Sequence, residues 1–137
     1  YDGWHSDMTR TVCVGKPSDK MKSVYETVLT AQLTALDAVK AGMSGKALDK
    51  IARDIITEAG YGDNFGHSLG HGVGVEIHES PYASPSREDI LPENSIVTVE
   101  PGIYLEGKFG VRIEDFVVVT ENGCINMTKA PKELICL

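Results

Sequence analysis

The sequence predicts an α+β fold in which two helices cover a mainly antiparallel, curved sheet. In the first half, residues 18–42 and 44–60 carry apolar side chains at helical spacing. The second half consists of short apolar segments rich in glycine, separated by turns. Helices that are grouped together and then followed by a run of strands favour an α+β arrangement over alternating α/β units. The length of 137 residues is that of one domain.

The first element is predicted to be a strand over residues 4–14, because polar and apolar side chains alternate there. One face carries Trp4, Met8, Val12 and Val14, and the other carries His5, Asp7, Thr9, Thr11 and Cys13. A period of two indicates a strand with one apolar face and one mostly polar face. The polar face is available to build a site.

Two helices are predicted next. Ser18 can cap the first, which runs towards Gly42, and Ser44 can cap the second, which ends at Gly60. The second helix has the more regular apolar stripe, with residues repeating at intervals of three and four.

The remaining elements are predicted strands. They cover residues 69–78, 96–100, 102–105, 111–119 and 134–137, and turns are predicted at 92–94 and 121–123.

Composition excludes several classes of function. Thirteen basic and 20 acidic residues give a net charge of −7, which argues against a protein that binds nucleic acid phosphates. No apolar run approaches the roughly 18 residues of a membrane-spanning helix, so no membrane partner is expected. The three cysteines form no CxxC pair, which argues against a zinc ribbon or a disulfide framework. A reducing, cytoplasmic setting is therefore predicted.

Three histidines and three carboxylates are candidates for chemistry. His67, His71 and His78 lie among glycines that let the backbone approach a ligand closely. Asp7, Glu100 and Glu114 lie in strand-like segments, where a buried carboxylate is costly unless it is paired or bound to a metal. Carboxylate oxygens together with one imidazole suit manganese, cobalt or zinc better than calcium or copper.

Each of these residues also has an ordinary structural interpretation. Glu114 could pair with Arg112, Asp7 could pair with Arg10, and a histidine in a glycine-rich loop is often exposed. The HExxH motif, the GxSxG elbow and the P-loop are all absent.

Five short motifs occur in a fixed order and support a more specific interpretation. They are Ser6-Asp7-Met8-Thr9-Arg10-Thr11, residues 66–74 (GHSLGHGVG), Glu76-Ile77-His78-Glu79, residues 98–104 (TVEPGIY) and Val111-Arg112-Ile113-Glu114-Asp115. Together these motifs resemble the pita-bread metallopeptidases, and most closely the Xaa-Pro branch that contains prolidase and aminopeptidase P.

The resemblance implies a site with two divalent metal ions, manganese first and cobalt or zinc as alternatives. Asp7 and Glu114 match the carboxylates that bridge the two ions. His71 and Glu100 match the terminal ligands of one ion, and Glu100 also matches the residue proposed to shuttle a proton.

Four assignments around the metals come from the same resemblance. His78 matches the histidine that contacts the scissile peptide and stabilises the tetrahedral intermediate. His67 matches a histidine that lines the substrate pocket. Tyr104 and Arg112 match residues that orient the ligands from outside. A proline-containing peptide is the implied substrate, and a homodimer is the implied assembly.

One ligand of the family pattern is not found. The family has a further aspartate in an Asp-x-Gly motif, more than six residues before the position that Asp7 matches. Only six residues precede Asp7 in this sequence, so no residue here matches that aspartate. We therefore expect residues 1–137 to be a partial pita-bread catalytic domain, its carboxy-terminal half, with the amino-terminal part missing. The isolated fragment is expected to be inactive.

Three alternatives to an Xaa-Pro peptidase remain. A methionine aminopeptidase and a creatinase-like hydrolase share the fold, and a non-catalytic pita-bread module could bind peptides. The retained Asp7, His71, Glu100 and Glu114 argue against the creatinase-like enzyme and the module.

Overall fold

A computed structural model describes all of residues 1–137 and confirms the α+β class. The helices are α1 (Asp19–Ala38) and α2 (Gly45–Glu58), and a short 3₁₀ turn spans Gly62–Asn64. The strands are β1 (Val12–Cys13), β2 (Gly70–Gly72), β3 (Glu79–Ala83), β4 (Ile96–Val99), β5 (Gly102–Leu105), β6 (Phe109–Arg112), β7 (Asp115–Thr120), β8 (Gly123–Asn126) and β9 (Ile135–Cys136).

Most of the strands form one antiparallel sheet. Its order is β3-β2-β4-β7-β8, while β5 and β6 form a separate antiparallel hairpin. β1 and β9, from opposite ends of the chain, pair in parallel. The prediction of a mainly antiparallel sheet is therefore correct.

The two helices pack against each other and cover one face of the sheet. Their buried apolar residues, which include Val24, Val28, Leu48 and Ile56, join strand residues such as Val97 in one core cluster. Because this face of the sheet is filled with apolar side chains, polar groups gather elsewhere. Neither helix combines the length and apolar character needed to cross a membrane.

The helix ends agree with the sequence in part. Ser18 caps α1, since its hydroxyl accepts a hydrogen bond of 3.2 Å from the amide of Met21. Ser44 occupies the N-cap position of α2, as predicted, but its side chain makes no capping hydrogen bond. The backbone of Ser44 forms an isolated bridge with Ile90 instead. α1 ends at Ala38, before Gly42, which lies in the turn between the helices with a φ of 78°.

The predicted strand over residues 4–14 is mostly not a regular strand. Only Val12–Cys13 pairs as β1, and Thr9 forms an isolated bridge with Glu114. The amide of His5 donates to the carbonyl of Gly74 instead of joining a ladder. Because the neighbours of this segment change along its length, no single strand runs beside it, and alternation alone cannot produce a ladder.

Two other predicted strands are shorter than expected. The segment 69–78 is a strand only at β2, and the segment 111–119 is divided between β6 and β7. β6 pairs with β5 whereas β7 pairs with β4, so the chain changes sheet at residues 113–114. Sequence analysis missed β3, which contains Pro81, and β8, which follows the predicted turn at 121–123.

Candidate active site

Three of the four predicted metal ligands converge at one point. One side-chain ligand atom from each of Asp7, His71 and Glu114 lies within 4.8 Å of the others. The fourth, Glu100, is outside this group but contacts it, since its Oε1 is 3.1 Å from Nε2 of His71. Oδ2 of Asp7 is 3.7 Å from the same nitrogen. Glu100 and Glu114 therefore face the same site and not opposite sides of the sheet.

His71 is placed by the close approach of its neighbours in the sheet. A Cβ on Gly70 would collide with the carbonyl oxygen of Thr98, and one on Gly72 would lie 2.5 Å from the carbonyl oxygen of Ser80. Only glycine fits at both positions beside His71. The amide of His71 donates to Oγ1 of Thr98 at 3.0 Å, which fixes the backbone.

The ring of His71 is oriented by a second hydrogen bond. Its Nδ1 lies 3.0 Å from the carbonyl oxygen of Gly72, which can only accept, so Nδ1 carries the proton in the assigned tautomer. Nε2 faces the carboxylates of Glu100 and Asp7. In the imidazolium form it donates to Glu100, and in the neutral form its lone pair is available to a cation. This is the arrangement of a metal-binding histidine, in which a carbonyl holds the nitrogen that does not bind.

Glu100 directly follows β4 and is held from both ends. Its amide donates to the carbonyl of Leu69 at 2.8 Å, and Oγ1 of Thr98 donates to its Oε1 at 3.0 Å. Thr98 therefore contacts both Glu100 and the backbone of His71, and it joins two candidate ligands from different strands.

Glu114 lies at the point where the chain passes from β6 to β7. Oγ1 of Thr9 donates to its Oε2 at 2.5 Å, and the two residues also exchange backbone hydrogen bonds. Arg112 is only loosely paired with Glu114, at 3.9 Å, and its Nε donates to Thr9 instead. The ordinary ion pair between Arg112 and Glu114 therefore does not account for this carboxylate.

The second ordinary interpretation, an ion pair between Asp7 and Arg10, does not occur. Arg10 pairs with Asp115 at 2.7 Å, and Asp115 is fully buried. Asp115 also accepts hydrogen bonds from Lys132, Asn126 and Gln32. Because Arg10 also donates to the carbonyls of Thr9 and Glu114, this network holds the segment of Asp7 against the segment of Glu114.

Three carboxylates crowded around one histidine perturb the pKa values of the site. Burial, together with the charges of Glu100 and Asp7, raises the pKa of Glu114 to about 7 despite the hydrogen bond from Thr9. Burial also acts on Glu100, but hydrogen bonds from His71 and Thr98 outweigh it and lower the pKa of Glu100. For His71, burial is outweighed by the contact with Glu100, so its pKa is raised.

This donor set fits a divalent cation. Carboxylate oxygens and one imidazole nitrogen are ligands for manganese, cobalt and zinc. A cation at this point would also offset the burial and the neighbouring charges that raise the pKa of Glu114 to about 7. The residues present therefore suit the metal that sequence analysis predicted.

A cleft of about 440 Å³ opens beside the cluster and is lined mostly by polar residues. Of the predicted substrate contacts, His67 and His78 both line it, together with His71, Glu100 and Arg112. The ring of His78 is exposed, and its centroid lies 4.2 Å from that of His71. The volume is within the range of about 300–1,000 Å³ typical of small-ligand pockets.

The remaining two predicted residues form a chain of contacts at the edge of the cleft. Oη of Tyr104 lies 3.0 Å from Nε2 of His67 and 3.4 Å from Nη1 of Arg112. Arg112 in turn contacts Thr9, which is bonded to Glu114. The cleft and the metal cluster are therefore physically connected.

Sequence analysis missed three residues of this site. Thr9 and Thr98 are each two positions from a candidate ligand, so they share its side of an extended chain, and this spacing is a signal that could have identified them. Asp115 follows Glu114 directly, and nothing in its spacing distinguishes it from a surface residue.

Comparison with known proteins places the chain in a family. Residues 1–121 match metallopeptidase family M24. A curated relative, the Xaa-Pro dipeptidase of Pyrococcus furiosus, is 54% identical over 135 residues, which are 98% of this chain and 39% of that protein. The uncharacterized peptidase YqhT of Bacillus subtilis is 53% identical over 137 residues, with 39% of its length covered.

Solved structures agree with this placement. The Xaa-Pro dipeptidase from Bacillus anthracis superimposes with a TM-score of 0.98 at 53% identity, over 100% of this chain and 39% of that one. The X-Pro aminopeptidase from Thermotoga maritima MSB8 gives 0.97 at 52% identity, over 100% of this chain and 38% of that one.

The chain thus spans about two fifths of the length of the relatives it matches. Which part of those proteins it corresponds to stays a prediction. The family is one of metallopeptidases, so a divalent metal ion is implied by membership. On the fold, the clustered ligands and the sequence match together, the chain belongs to metallopeptidase family M24.

Proposed function

We propose that the protein containing this chain hydrolyses Xaa-Pro peptide bonds, using two divalent metal ions to activate a water molecule. The observation that carries the proposal is the convergence of Asp7, His71 and Glu114, with Glu100 in contact, from four separate segments of the chain. Structural ion pairs would give each carboxylate a cationic partner, and these carboxylates face one another instead.

Asp7 and Glu114 would bridge the two ions, and His71 and Glu100 would complete the coordination of one of them. Divalent ions held in this way lower the pKa of a water molecule and polarise a peptide carbonyl. We propose manganese, with cobalt or zinc as alternatives, since oxygen ligands outnumber the nitrogen ligand. The further aspartate of the family pattern, which no residue of this chain matches, would complete the second ion's coordination.

Glu100 is the proposed proton carrier. Its pKa is lowered by the hydrogen bonds from His71 and Thr98, so it is ionised at neutral pH and can accept a proton at Oε2, since Oε1 is already engaged. The same carboxyl group would then deliver the proton to the nitrogen of the leaving proline.

His78 and His67 are the proposed substrate contacts. His78 is exposed in the cleft beside His71, where it could donate a hydrogen bond to the oxygen that gains charge during the reaction. His67 lies at the Tyr104 end of the same cleft, where it would contact the bound peptide. Tyr104 and Arg112 would orient His67 and Glu114 respectively.

The remaining expectations are proposals of the same kind. A relative called a dipeptidase and a neighbour called an aminopeptidase match this chain equally well, so we propose the Xaa-Pro class without choosing between the two. A homodimer in the cytoplasm is the proposed assembly and location.

The test is hydrolysis by the full-length protein, stripped of metal and reconstituted with Mn²⁺, Co²⁺ or Zn²⁺. We expect cleavage of an Xaa-Pro dipeptide or a longer Xaa-Pro peptide, and none of the matching Xaa-Ala dipeptide or of a Met-Ala peptide. Glu114→Gln should abolish activity, while Glu106→Gln, at an exposed position of the β5–β6 turn, should not change it. Cleavage of Met-Ala in preference to Xaa-Pro would replace the proposal with a methionine aminopeptidase.

A further inference from the structure

A buried ion pair on α2 lies outside the metal cluster and has no part in the chemistry proposed above. Asp49 is 1% exposed, and Arg53, one turn later, donates to both of its carboxylate oxygens at 2.7 and 2.9 Å. A buried carboxylate is tolerated only when it is paired and hydrogen-bonded. Here the pair satisfies its own charges, and it also reaches a neighbouring loop.

The same guanidinium holds two backbone carbonyls of that loop. Its Nη1 donates to the carbonyl of Phe65 at 2.9 Å, and its Nη2 donates to the carbonyl of His67 at 2.8 Å. The guanidinium carbon also lies 4.2 Å from the centroid of the Phe65 ring. Asp49 adds a third backbone contact, since its Oδ1 accepts from the amide of Leu69 at 3.0 Å.

These contacts determine where His67 lies. Its carbonyl is held by Arg53, its ring packs edge-on against Phe65 at 5.0 Å, and its Nδ1 lies 2.8 Å from the carbonyl oxygen of Ser68. Because that oxygen can only accept, Nδ1 carries the proton and Nε2 accepts from the hydroxyl of Tyr104. The segment from Phe65 to Leu69 forms no strand, so its backbone is held by side chains of α2 and not by the hydrogen bonds of a sheet.

His71, by contrast, is held by different residues. Its amide donates to Thr98 and its ring to the carbonyl of Gly72, and neither contact involves α2. Glu100 does have a contact in this loop, since its amide donates to the carbonyl of Leu69, but its carboxylate is held by Thr98 and His71. Disturbing the pair on α2 should therefore displace His67 and leave the ligand atoms of the metal cluster in place.

We propose that Asp49 and Arg53 are positioning residues that place His67 in the cleft for the peptide substrate. The proposal rests on the proposed function, in which His67 contacts substrate. It requires arginine at position 53, because the planar guanidinium donates four hydrogen bonds here, two to the carboxylate and two to the carbonyls, whereas a lysine ammonium has only three donors. A lysine would keep the charge but lose this set of contacts.

The experiment compares two conservative exchanges in the full-length, metal-loaded protein. Arg53→Lys removes the fork. Lys50→Arg is the matched control, because Lys50 pairs with Asp54 on the same helix at the same spacing, but both side chains are more than half exposed. We expect Arg53→Lys to raise KM for an Xaa-Pro peptide about tenfold, with kcat and bound metal near the wild-type values, whereas Lys50→Arg changes nothing.

A double variant distinguishes positioning from general damage. If Arg53 acts through His67, adding Arg53→Lys to His67→Ala should change KM by less than about twofold. An additive tenfold effect in the double variant, or a loss of bound metal in Arg53→Lys, would overturn the proposal.

Amide hydrogen exchange tests the positioning without any activity. Arg53→Lys should speed exchange at Leu69, whose amide is bonded to Asp49, and leave exchange at His71 unchanged. Should Arg53→Lys not fold, Asp49→Asn serves as the second variant, with the same result expected. Unchanged exchange at Leu69 would overturn the positioning role. Absence of Xaa-Pro hydrolysis in the wild type with faster exchange in the variant would instead reject the proposed function alone.

Discussion

Replacing Asp115 by asparagine should destabilise the protein more than any comparable exchange on its surface. The carboxylate is fully buried and accepts four side-chain hydrogen bonds, two of them from the charged groups of Arg10 and Lys132. Asparagine has nearly the same shape but no charge. Its NH₂ group can only donate, so it would face the donor of Arg10 or of Lys132 without forming a hydrogen bond. The exchange therefore removes the charge and leaves two cations without their partner.

The magnitude follows from the number of charged contacts. Hydrogen bonds to charged groups contribute about 1.5–3 kcal/mol each, so two of them give roughly 3–6 kcal/mol. Removing one partner of a buried ion pair costs about 3–5 kcal/mol. We expect Asp115→Asn to lower the free energy of unfolding by about 3–5 kcal/mol.

Urea unfolding followed by circular dichroism is the assay, with Asp54→Asn as the matched control. Asp54 also pairs with a lysine, but in an exposed pair that should contribute about 0.3–0.5 kcal/mol. A loss below about 1 kcal/mol in Asp115→Asn would show that this network does not hold the two ends of the chain together.

The pH dependence gives a second check on the same residue. Burial alone would raise the pKa of Asp115, but the hydrogen bonds from Lys132 and Arg10 outweigh it, so the pKa lies below the usual 3.8. A carboxyl with a lowered pKa stabilises the folded state above its unfolded pKa, and this contribution is lost as the pH falls through the folded pKa. Wild type and Asp115→Asn should therefore differ fully at pH 7 and converge only below pH 3.8.

Three further predictions concern the metal cluster. The metal-free protein should lose stability as the pH rises from 4.5 to about 7, because the raised pKa of Glu114 favours its protonated form in the folded state. The metal-loaded protein should show no such loss. Thermal unfolding at each pH measures both. Glu114→Gln should make the metal-free protein more stable at pH 8, and it should abolish metal binding in calorimetric titrations. A variant less stable than wild type at pH 8 would contradict the argument that the carboxylates of Asp7, Glu100 and Glu114 repel one another. His78→Ala should lower kcat by about 100-fold or more with unchanged metal content, whereas loss of metal would identify His78 as a ligand.

The fold was predictable wherever apolar spacing determines the structure. The stripe of α2 and the short runs that became β4 and β5 have one buried pattern each, and the structure follows them. The alternation over residues 4–14 is equally clear but produces only β1, because a strand also needs a neighbour of matching direction. β3 was missed because its pattern is interrupted by a proline, which a strand admits only at its edge or start.

The candidate ligands could be named from motifs, but their supporting residues could not. Asp7, His71, Glu100 and Glu114 lie in short strings whose order is distinctive. Asp115 is bonded to Arg10, which lies 105 positions away in sequence. Asp49 and Arg53 form a pair at helical spacing, but their contacts with the backbone of the loop lie 12 to 20 positions away, at separations that no local pattern records. Such contacts depend on the register between elements, which spacing within one element does not determine.

The position of the site in the fold explains this difference. Asp7 lies on a segment without a regular ladder, His71 lies where the pairing of β2 with β3 shifts register, and Glu100 begins the break between β4 and β5. Glu114 lies where the chain changes sheet. Across a regular ladder a side chain meets only the same-face residues opposite or diagonal to it on the adjacent strands, so pairing alone does not bring ligands from four separate segments to one point. Four ligands can meet here because each lies at an interruption, and the same interruptions are the places where periodic patterns fail to predict structure.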